Sequence, residues 1–140
     1  MKYSKIVIDT NVILSGLLSQ KGTSYKLLQL IPKKLFTVVM SVPLILEYES
    51  ILHKSIRKLN LSRTDIEDFL DYLCAVSEHT KIYYLWRPIL KDPYDDHILE
   101  LAVSSNAKYI VTFNISDFKE SKTFGIHAIE SEEFLEKIRG

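Results

Sequence analysis

Short apolar runs separated by longer amphipathic stretches dominate the pattern of this 140-residue chain. The runs are rich in β-branched residues, which is typical of strands buried on both faces of a sheet. We predict strands at 6–8, 35–40, 109–112 and 126–129. The stretches between them repeat apolar residues at intervals of three and four, which indicates helices with one buried face. We predict these helices at 12–18, 24–31, 43–56, 62–76, 98–103 and 131–138.

Proline and serine residues place several of these boundaries. Pro32 ends the second helix, Pro43 suits the first turn of the third, and Ser62 suits the cap of the fourth. A short extended piece is expected at 81–85, before the acidic stretch that opens the fifth helix. Strands that alternate with helices in this order predict an α/β fold whose parallel sheet is covered on both faces.

The composition is that of one ordinary domain over residues 1–140. Lys plus Arg number 18 and Asp plus Glu number 18, so no global positive field favours long nucleic acids or membrane surfaces. Cys74 is the one cysteine and cannot form an internal disulfide, so a reducing cytoplasm is the expected compartment. We expect no signal peptide, because Asp9 and Asn11 interrupt the first apolar run, and no membrane-spanning segment.

Three polar residues, Asp9, Thr10 and Asn11, stand where the first strand passes into a helix. In open parallel sheets, ligands and reacting groups collect at the carboxyl ends of the strands. These residue types are also good helix caps, so capping alone explains them equally well. The rest of the chain has to decide between the two interpretations.

Acidic residues lie in a similar position after the other predicted strands. Since the carboxyl ends of parallel strands share one edge, sequence-distant residues there become neighbours. The acidic residues concerned are Asp9, Glu47, Asp92, Asp95, Asp96 and Asp117, and Asn114 lies among them. Each has a simpler explanation as a cap, a turn residue or a residue near a helix start, and Glu49 competes with Glu47 at the other edge of one apolar stripe. Their convergence is the argument for a site.

Carboxylates gathered at one place repel one another unless a cation neutralises them. The predicted set offers oxygen ligands without a zinc-type cluster of His and Cys, which favours Mg²⁺ or Mn²⁺. A metal ion held in this way activates water for attack on a phosphodiester and stabilises the charge that develops on phosphate. The pattern therefore predicts a metal-dependent hydrolase of phosphodiester bonds.

Three motifs resemble those of PIN-domain nucleases. They are Ile-Asp-Thr-Asn-Val at 8–12, Leu-Glu-Tyr-Glu-Ser-Ile-Leu at 46–52, and Asp-Pro-Tyr-Asp-Asp-His-Ile-Leu-Glu-Leu-Ala at 92–102, continuing to Tyr-Ile-Val-Thr-Phe-Asn at 109–114. Within that family, the chain resembles the toxin components (VapC-like) of type II toxin–antitoxin pairs. The resemblance implies a three-layer α/β/α, Rossmann-like fold and metal-dependent cleavage of RNA, with Mg²⁺ or Mn²⁺ as the cofactor.

The resemblance also assigns roles position by position. The family's first, second and third acids correspond to Asp9, Glu47 and Asp96. A further acid that the family often has is replaced here by Asn114, and we expect Asp117 to substitute for it or to supplement it. Because asparagine is a weaker, neutral ligand, the number of metal ions stays open. The supporting polar positions are Thr10, Asn11, Asp92, Thr112 and Asn114.

A neutral protein that cleaves RNA is expected to concentrate positive charge near its acids. The candidates are His53, Lys54, Arg57, Lys58 and His97, although an ordinary solvated helix face explains them as well. By resemblance alone we expect an RNA substrate, a homodimer and a cognate antitoxin, which would dock between the helices at 43–57 and 62–76. Two other functions stay open: a nuclease of RNA maturation or DNA repair, and a catalytically inactive domain that binds RNA or protein.

Overall fold

The structure is a computed structural model that describes residues 4–82 and 93–139. Its strands are β1 (Lys5–Ile8), β2 (Thr37–Met40), β3 (Glu78–His79), β4 (Tyr109–Val111) and β5 (His127–Ile129). Its α-helices are α1 (Thr10–Leu18), α2 (Thr23–Leu30), α3 (Val42–Lys54), α4 (Ile56–Leu59), α5 (Arg63–Val76), α6 (Pro93–Ser105) and α7 (Ser131–Arg139). The described chain also contains 3₁₀ segments at Ile31–Lys33 and Ile115–Phe124.

The strands form one parallel sheet in the order β3-β2-β1-β4-β5. The predicted parallel α/β arrangement is therefore confirmed. β1 is central and pairs with β2 through Ile6 opposite Val38, and with β4 through Ile8 opposite Val111. Since all strands run the same way, the residues that follow β1, β2 and β4 emerge at one edge of the sheet.

The central strand is buried on both faces. Ile6, Val7 and Ile8 are all inaccessible to solvent. Successive side chains of a strand point to opposite faces, so burial of all three requires a layer of helices on each side. The helical side chains buried in these layers include Val12, Leu44, Leu52, Leu99 and Phe134. The expected three-layer α/β/α organisation is present.

Most predicted elements are present with shifted ends. The third predicted helix ends at Lys54 as α3, and the short helix α4 follows it. β2 begins at Thr37, because Leu35 is solvent-exposed and lies outside the strand. α5 begins with a capping box, in which the side chains of Ser62 and Asp65 each accept a hydrogen bond from the other's amide. The prediction of Ser62 as the cap is confirmed.

The edge strand β3 is absent from the sequence prediction, because both of its residues are exposed and two residues make no apolar run. The extended piece predicted at 81–85 lies mostly outside the described residues, and residues 81–82 are not in a strand. The polar turn predicted after β4 is the 3₁₀ segment Ile115–Phe124.

None of the helices in the described ranges combines the length and the apolar character needed to cross a lipid bilayer.

Candidate active site

The acid that follows β1 also caps a helix. Asp9 is the N-cap of α1, and its Oδ1 accepts a hydrogen bond from the Thr10 amide at 2.8 Å. Its Oδ2 accepts a second bond, at 2.7 Å, from the hydroxyl of Thr112, the residue after β4. The side chain is held between two neighbouring strand ends and is only 7% exposed. Capping and a role in a site are therefore compatible, because the cap uses one carboxylate oxygen.

Glu47 lies in the second turn of α3 and is connected to both α1 and α6. The hydroxyl of Thr10 donates a hydrogen bond to Glu47 Oε2, and His97 Nε2 lies 3.0 Å from Glu47 Oε1. Both carboxylate oxygens of Glu47 therefore have a partner. Thr10 offers its amide to Asp9 and its hydroxyl to Glu47, so this one residue links the two acids.

These surroundings move the pKa values of the two acids in opposite directions. Burial raises the pKa of Asp9, and hydrogen bonds from Thr112 and Thr10 reduce that rise without cancelling it. The nearby charge of Glu47 raises the pKa of Asp9 further. Burial also opposes ionisation of Glu47, but hydrogen bonds from His97 and Thr10 outweigh it and lower the pKa of Glu47. A positive ion beside both groups would most help the ionisation of Asp9.

The loop after β4 is tied to the start of α1. The amide of Asn114 donates a hydrogen bond to the hydroxyl of Thr112 at 3.0 Å, and the amide of Phe113 donates to the side-chain oxygen of Asn11 at 3.5 Å. Thr112 thus accepts a bond from its own loop while it donates to Asp9. The sequence placed Asn11, Thr112 and Asn114 in supporting positions, and the structure brings all three beside Asp9.

A cleft of about 660 Å³ opens at this edge of the sheet. Its polar lining residues are Asp9, Thr10, Asn11, Glu47, Ser50, Asp95, His97, Asn114 and Asp117. Its apolar lining residues are Leu14, Pro43, Leu46 and Ile51. The structure thus brings three of the predicted acids, Asp9, Glu47 and Asp117, to one cleft from separate segments of the chain.

The neighbouring acids of α6 lie in different surroundings. Asp95 is half-buried and lines the cleft, whereas Asp96 is fully buried and is absent from the lining. Consecutive residues of a helix point about 100° apart, so the side chains of Asp95 and Asp96 face different surroundings. Asp95 therefore lines the cleft, Asp96 lies buried beside it in the chain, and the role of Asp96 as the third acid stays a prediction. Asp92, predicted as a supporting residue, lies outside the described residues.

Most of the basic residues expected near the acids lie elsewhere. Those outside the cleft lining are His53, Lys54, Arg57 and Lys58. The Nε2 atom of His53 instead lies 2.8 Å from Glu67 Oε2 on α5. His97 does line the cleft, where its described partner is Glu47. The positive side chains of α3 and α4 are therefore not part of the lining of the cleft.

Tyr48 makes a buried contact that the sequence prediction missed. Its hydroxyl donates a hydrogen bond to the carbonyl of Ile8, the last residue of β1. Burial, together with the charges of Asp9 and Glu47, raises the pKa of Tyr48 well above its ordinary value, so the hydroxyl keeps its proton. This bond fixes α3, and with it Glu47, to the central strand. The sequence could have indicated this bond, because Tyr48 is the one tyrosine among the aliphatic residues of the buried face of α3. A buried tyrosine hydroxyl usually has a hydrogen-bond partner.

The donor atoms of the cleft suit a hard cation, because they are carboxylate, amide and hydroxyl oxygens with one imidazole. These acids are spread too widely to form a closed cage. Within residues 4–82 and 93–139, a group of three His, Cys, Asp or Glu side chains with ligand atoms less than 4.8 Å apart occurs instead at Glu49, His53 and Glu67. A cation in the cleft would therefore keep water in its shell, as Mg²⁺ usually does in proteins.

A family model and a solved structure both match this chain over most of its length. The family model, described as PIN domain, matches residues 5–116. No curated protein sequence matches the chain significantly. Significant structural matches include a chain from the crystal structure of VapBC2 from Rickettsia felis bound to a DNA fragment from their promoter. That match has a TM-score of 0.63 and 19% sequence identity, and it covers 90% of this chain and 98% of that chain, which shows a shared fold. The chain belongs to the PIN-domain family of nucleases.

Proposed function

We propose that this protein is a metal-dependent endoribonuclease and the toxin of a toxin–antitoxin pair. The observation that carries the proposal is the arrangement of Asp9, Glu47 and Asp117, whose segments are distant in sequence and meet at one cleft. No Lys or Arg is among the described residues that line this cleft. The cleft therefore presents negative charge, which a divalent cation would offset.

The proposed ligands are the carboxylates of Asp9, Glu47, Asp96 and Asp117. Asp95 is a further acid that lines the cleft. Asn114 contributes a side-chain oxygen without a charge. When bound, Mg²⁺ or Mn²⁺ would supply an activated water molecule and would stabilise negative charge on the phosphate. The donor set supports this choice of metal, because oxygen ligands favour hard cations.

The other polar groups of the cleft hold these acids in place. Thr112 orients Asp9 through a bond of 2.7 Å, and Thr10 and His97 orient the two oxygens of Glu47. Residues that hydrogen-bond to metal ligands restrict their rotation and tune their basicity. We therefore assign Thr10, His97 and Thr112 to positioning.

The toxin assignment rests on likeness. The fold resembles a chain of VapBC2, a complex crystallised with a DNA fragment from its promoter, and the sequence motifs resemble those of toxin components. We propose a cognate antitoxin as the protein partner, docked between α3 and α5, and a homodimer in the cytoplasm. A small antitoxin gene beside the coding sequence would support this part of the proposal and would argue against a role in RNA maturation or DNA repair.

The decisive test compares the wild type with Asp9→Asn and Asp68→Asn. Asparagine is as good a helix cap as aspartate, so Asp9→Asn removes a charge and keeps the cap of α1. Asp68 is exposed on α5 and lies outside the cleft lining, which makes Asp68→Asn the matched control. We expect cleavage of single-stranded RNA in Mg²⁺ or Mn²⁺ to fall at least about 100-fold in Asp9→Asn. Asp68→Asn should cleave like the wild type.

Thermal unfolding of the same three proteins separates metal binding from catalysis. Mg²⁺ should raise the unfolding midpoint of the wild type and of Asp68→Asn, but not that of Asp9→Asn. Full activity in Asp9→Asn would contradict the role assigned to this residue. A wild type that binds RNA, but neither cleaves it nor responds to metal, would favour the inactive binding domain made conceivable by Asn114.

A further inference from the structure

Helix α3 carries a second group of metal-ligating side chains on the side away from the cleft. Glu47 lines the cleft, whereas Glu49 lies two residues further on, about 200° around the helix. Glu49 and His53 are four residues apart and therefore stand one above the other on one face. Opposite them, on α5, is Glu67, and the ligand atoms of the three side chains all lie within 4.8 Å of one another.

The charges of this group are unbalanced within the described chain. The two carboxylates of Glu49 and Glu67 face a single imidazole, and neither forms an ion pair with a Lys or Arg among the residues that the structure describes. Glu49 is half-buried, so water screens its charge only in part. With a neutral imidazole the group carries two negative charges. Such a group attracts a divalent cation.

The histidine has one engaged nitrogen and one without a partner. Its Nε2 lies 2.8 Å from Glu67 Oε2, while its Nδ1 is buried and meets no hydrogen-bond partner in the described part of the chain. The nitrogen that faces Glu67 is Nε2, and imidazole binds a metal ion through either ring nitrogen. A metal ion between His53 and Glu67 would take the place of the Nε2–Oε2 contact.

We propose that Glu49, His53 and Glu67 bind a divalent transition metal of the Zn²⁺ class and thereby clamp α3 to α5. Zn²⁺ binds His nitrogen and Glu oxygen and accepts a water molecule in the fourth position, whereas Mg²⁺ prefers an all-oxygen set. Ligand atoms around a tetrahedral Zn²⁺ lie about 3.3 Å apart, so the spacing of these side chains requires only small movements. This site is independent of the proposed nuclease function.

Titration calorimetry of the untagged full chain with Zn²⁺ tests this site in the Asp9→Asn background, which removes the first acid of the cleft. We expect one Zn²⁺ per chain. Glu49→Gln is the most direct variant, because Glu49 accepts no hydrogen bond from the described residues and its loss should leave the metal-free fold intact. Loss of a coordinating group should weaken Zn²⁺ binding by at least about tenfold, since loss of a mere supporting bond already has that effect.

Two histidine variants complete the experiment. His53→Gln should weaken Zn²⁺ binding as Glu49→Gln does, and it should abolish the visible absorption of bound Co²⁺ used in place of Zn²⁺. His127→Gln is the matched control, because His127 is exposed on β5, at the edge of the sheet opposite β3. The proposal is overturned if the parent binds no Zn²⁺, or if both Glu49→Gln and His53→Gln bind it as tightly as the parent does.

Discussion

The two sides of α3 each carry a glutamate–histidine pair of similar length, in different surroundings. Glu47 and His97 are 3.0 Å apart, with side chains 27% and 13% exposed. Glu67 and His53 are 2.8 Å apart, with side chains 49% and 25% exposed. The first pair is joined through Thr10 to Asp9 and lines the cleft, whereas the second stands beside Glu49 at the contact between α3 and α5.

The difference shows that the distance between two side chains says little about what the pair does. Glu47 has donors on both oxygens, so its pKa falls and its orientation is set before any ligand binds. Glu49 has an acid and an imidazole nearby, but no hydrogen-bond donor among the described residues. The surroundings of Glu47 suit an acid that has to be charged and held in one orientation. The surroundings of Glu49 leave room for a cation to act as its partner.

The largest effect should separate Glu47 from Glu49. Glu47→Gln removes a charge from the cleft and should lower RNA cleavage about 100-fold, whereas Glu49→Gln should stay within about twofold of the wild type without Zn²⁺. Both substitutions are isosteric and lie on the same helix, so each controls for the other. Cleavage rates in Mg²⁺ and Mn²⁺ measure the effect. Equal losses in the two variants would show that the two sides of α3 do not differ in function.

A smaller effect should appear in the pH dependence of stability. Because the pKa of Glu47 is lowered in the folded state, its contribution is present above its ordinary value of 4.5 and is lost as the pH falls through the folded pKa. Asp9 has the opposite sign, because its raised pKa makes its contribution largest below 3.8 and lost as the pH rises. On acidification without metal, Glu47→Gln should therefore lose stability less steeply than the wild type, and Asp9→Asn more steeply.

Urea unfolding between about pH 3 and pH 7 measures these slopes, since the slope of stability against pH reports the protons that each state binds. Glu49→Gln serves as the control for removal of one acid from α3. A Glu47→Gln profile parallel to that of the wild type would show that His97 and Thr10 do not stabilise the charge of Glu47.

The smallest effect should be the coupling of His53 to Glu67 without metal. Pairs with an exposed carboxylate contribute little, and a double-mutant cycle of His53→Gln and Glu67→Gln in a chelator should give less than about 1 kcal/mol. The free energy of unfolding of the four proteins measures this coupling. A coupling free energy of several kcal/mol without metal would show that the His53–Glu67 pair stabilises the fold by itself. The pair would then not need a cation to complete it.

Sequence patterns predicted the fold well where burial determines structure. Ile6, Val7 and Ile8 are β-branched and buried on both faces, and this pattern identifies a central strand without knowledge of its neighbours. Parallel strands share one carboxyl edge, so the meeting of Asp9 and Glu47 followed from topology alone. The strand β3 could not be predicted in this way, because two exposed residues become a strand only through pairing with β2.

The finer features of the site depend on side-chain packing that periodicity does not describe. Asp95 and Asp96 are adjacent on a helix that is buried on most sides, so the apolar pattern does not say which acid turns to the cleft. His97 was expected to contact RNA, and the structure pairs it with Glu47, 50 residues earlier. Such a contact follows from how α3 and α6 approach each other. No local signal in the sequence records it.

The double use of Asp9 limits how the site can be altered. Its carboxylate starts α1 through the Thr10 amide, so the same side chain serves the architecture and the cleft. Alanine at this position would remove the charge and the helix cap together, at a cost of about 1 kcal/mol for the cap alone. Asparagine would separate the two. For a protein proposed to be toxic, this difference decides whether an inactive variant made for expression keeps the shape that a partner recognises.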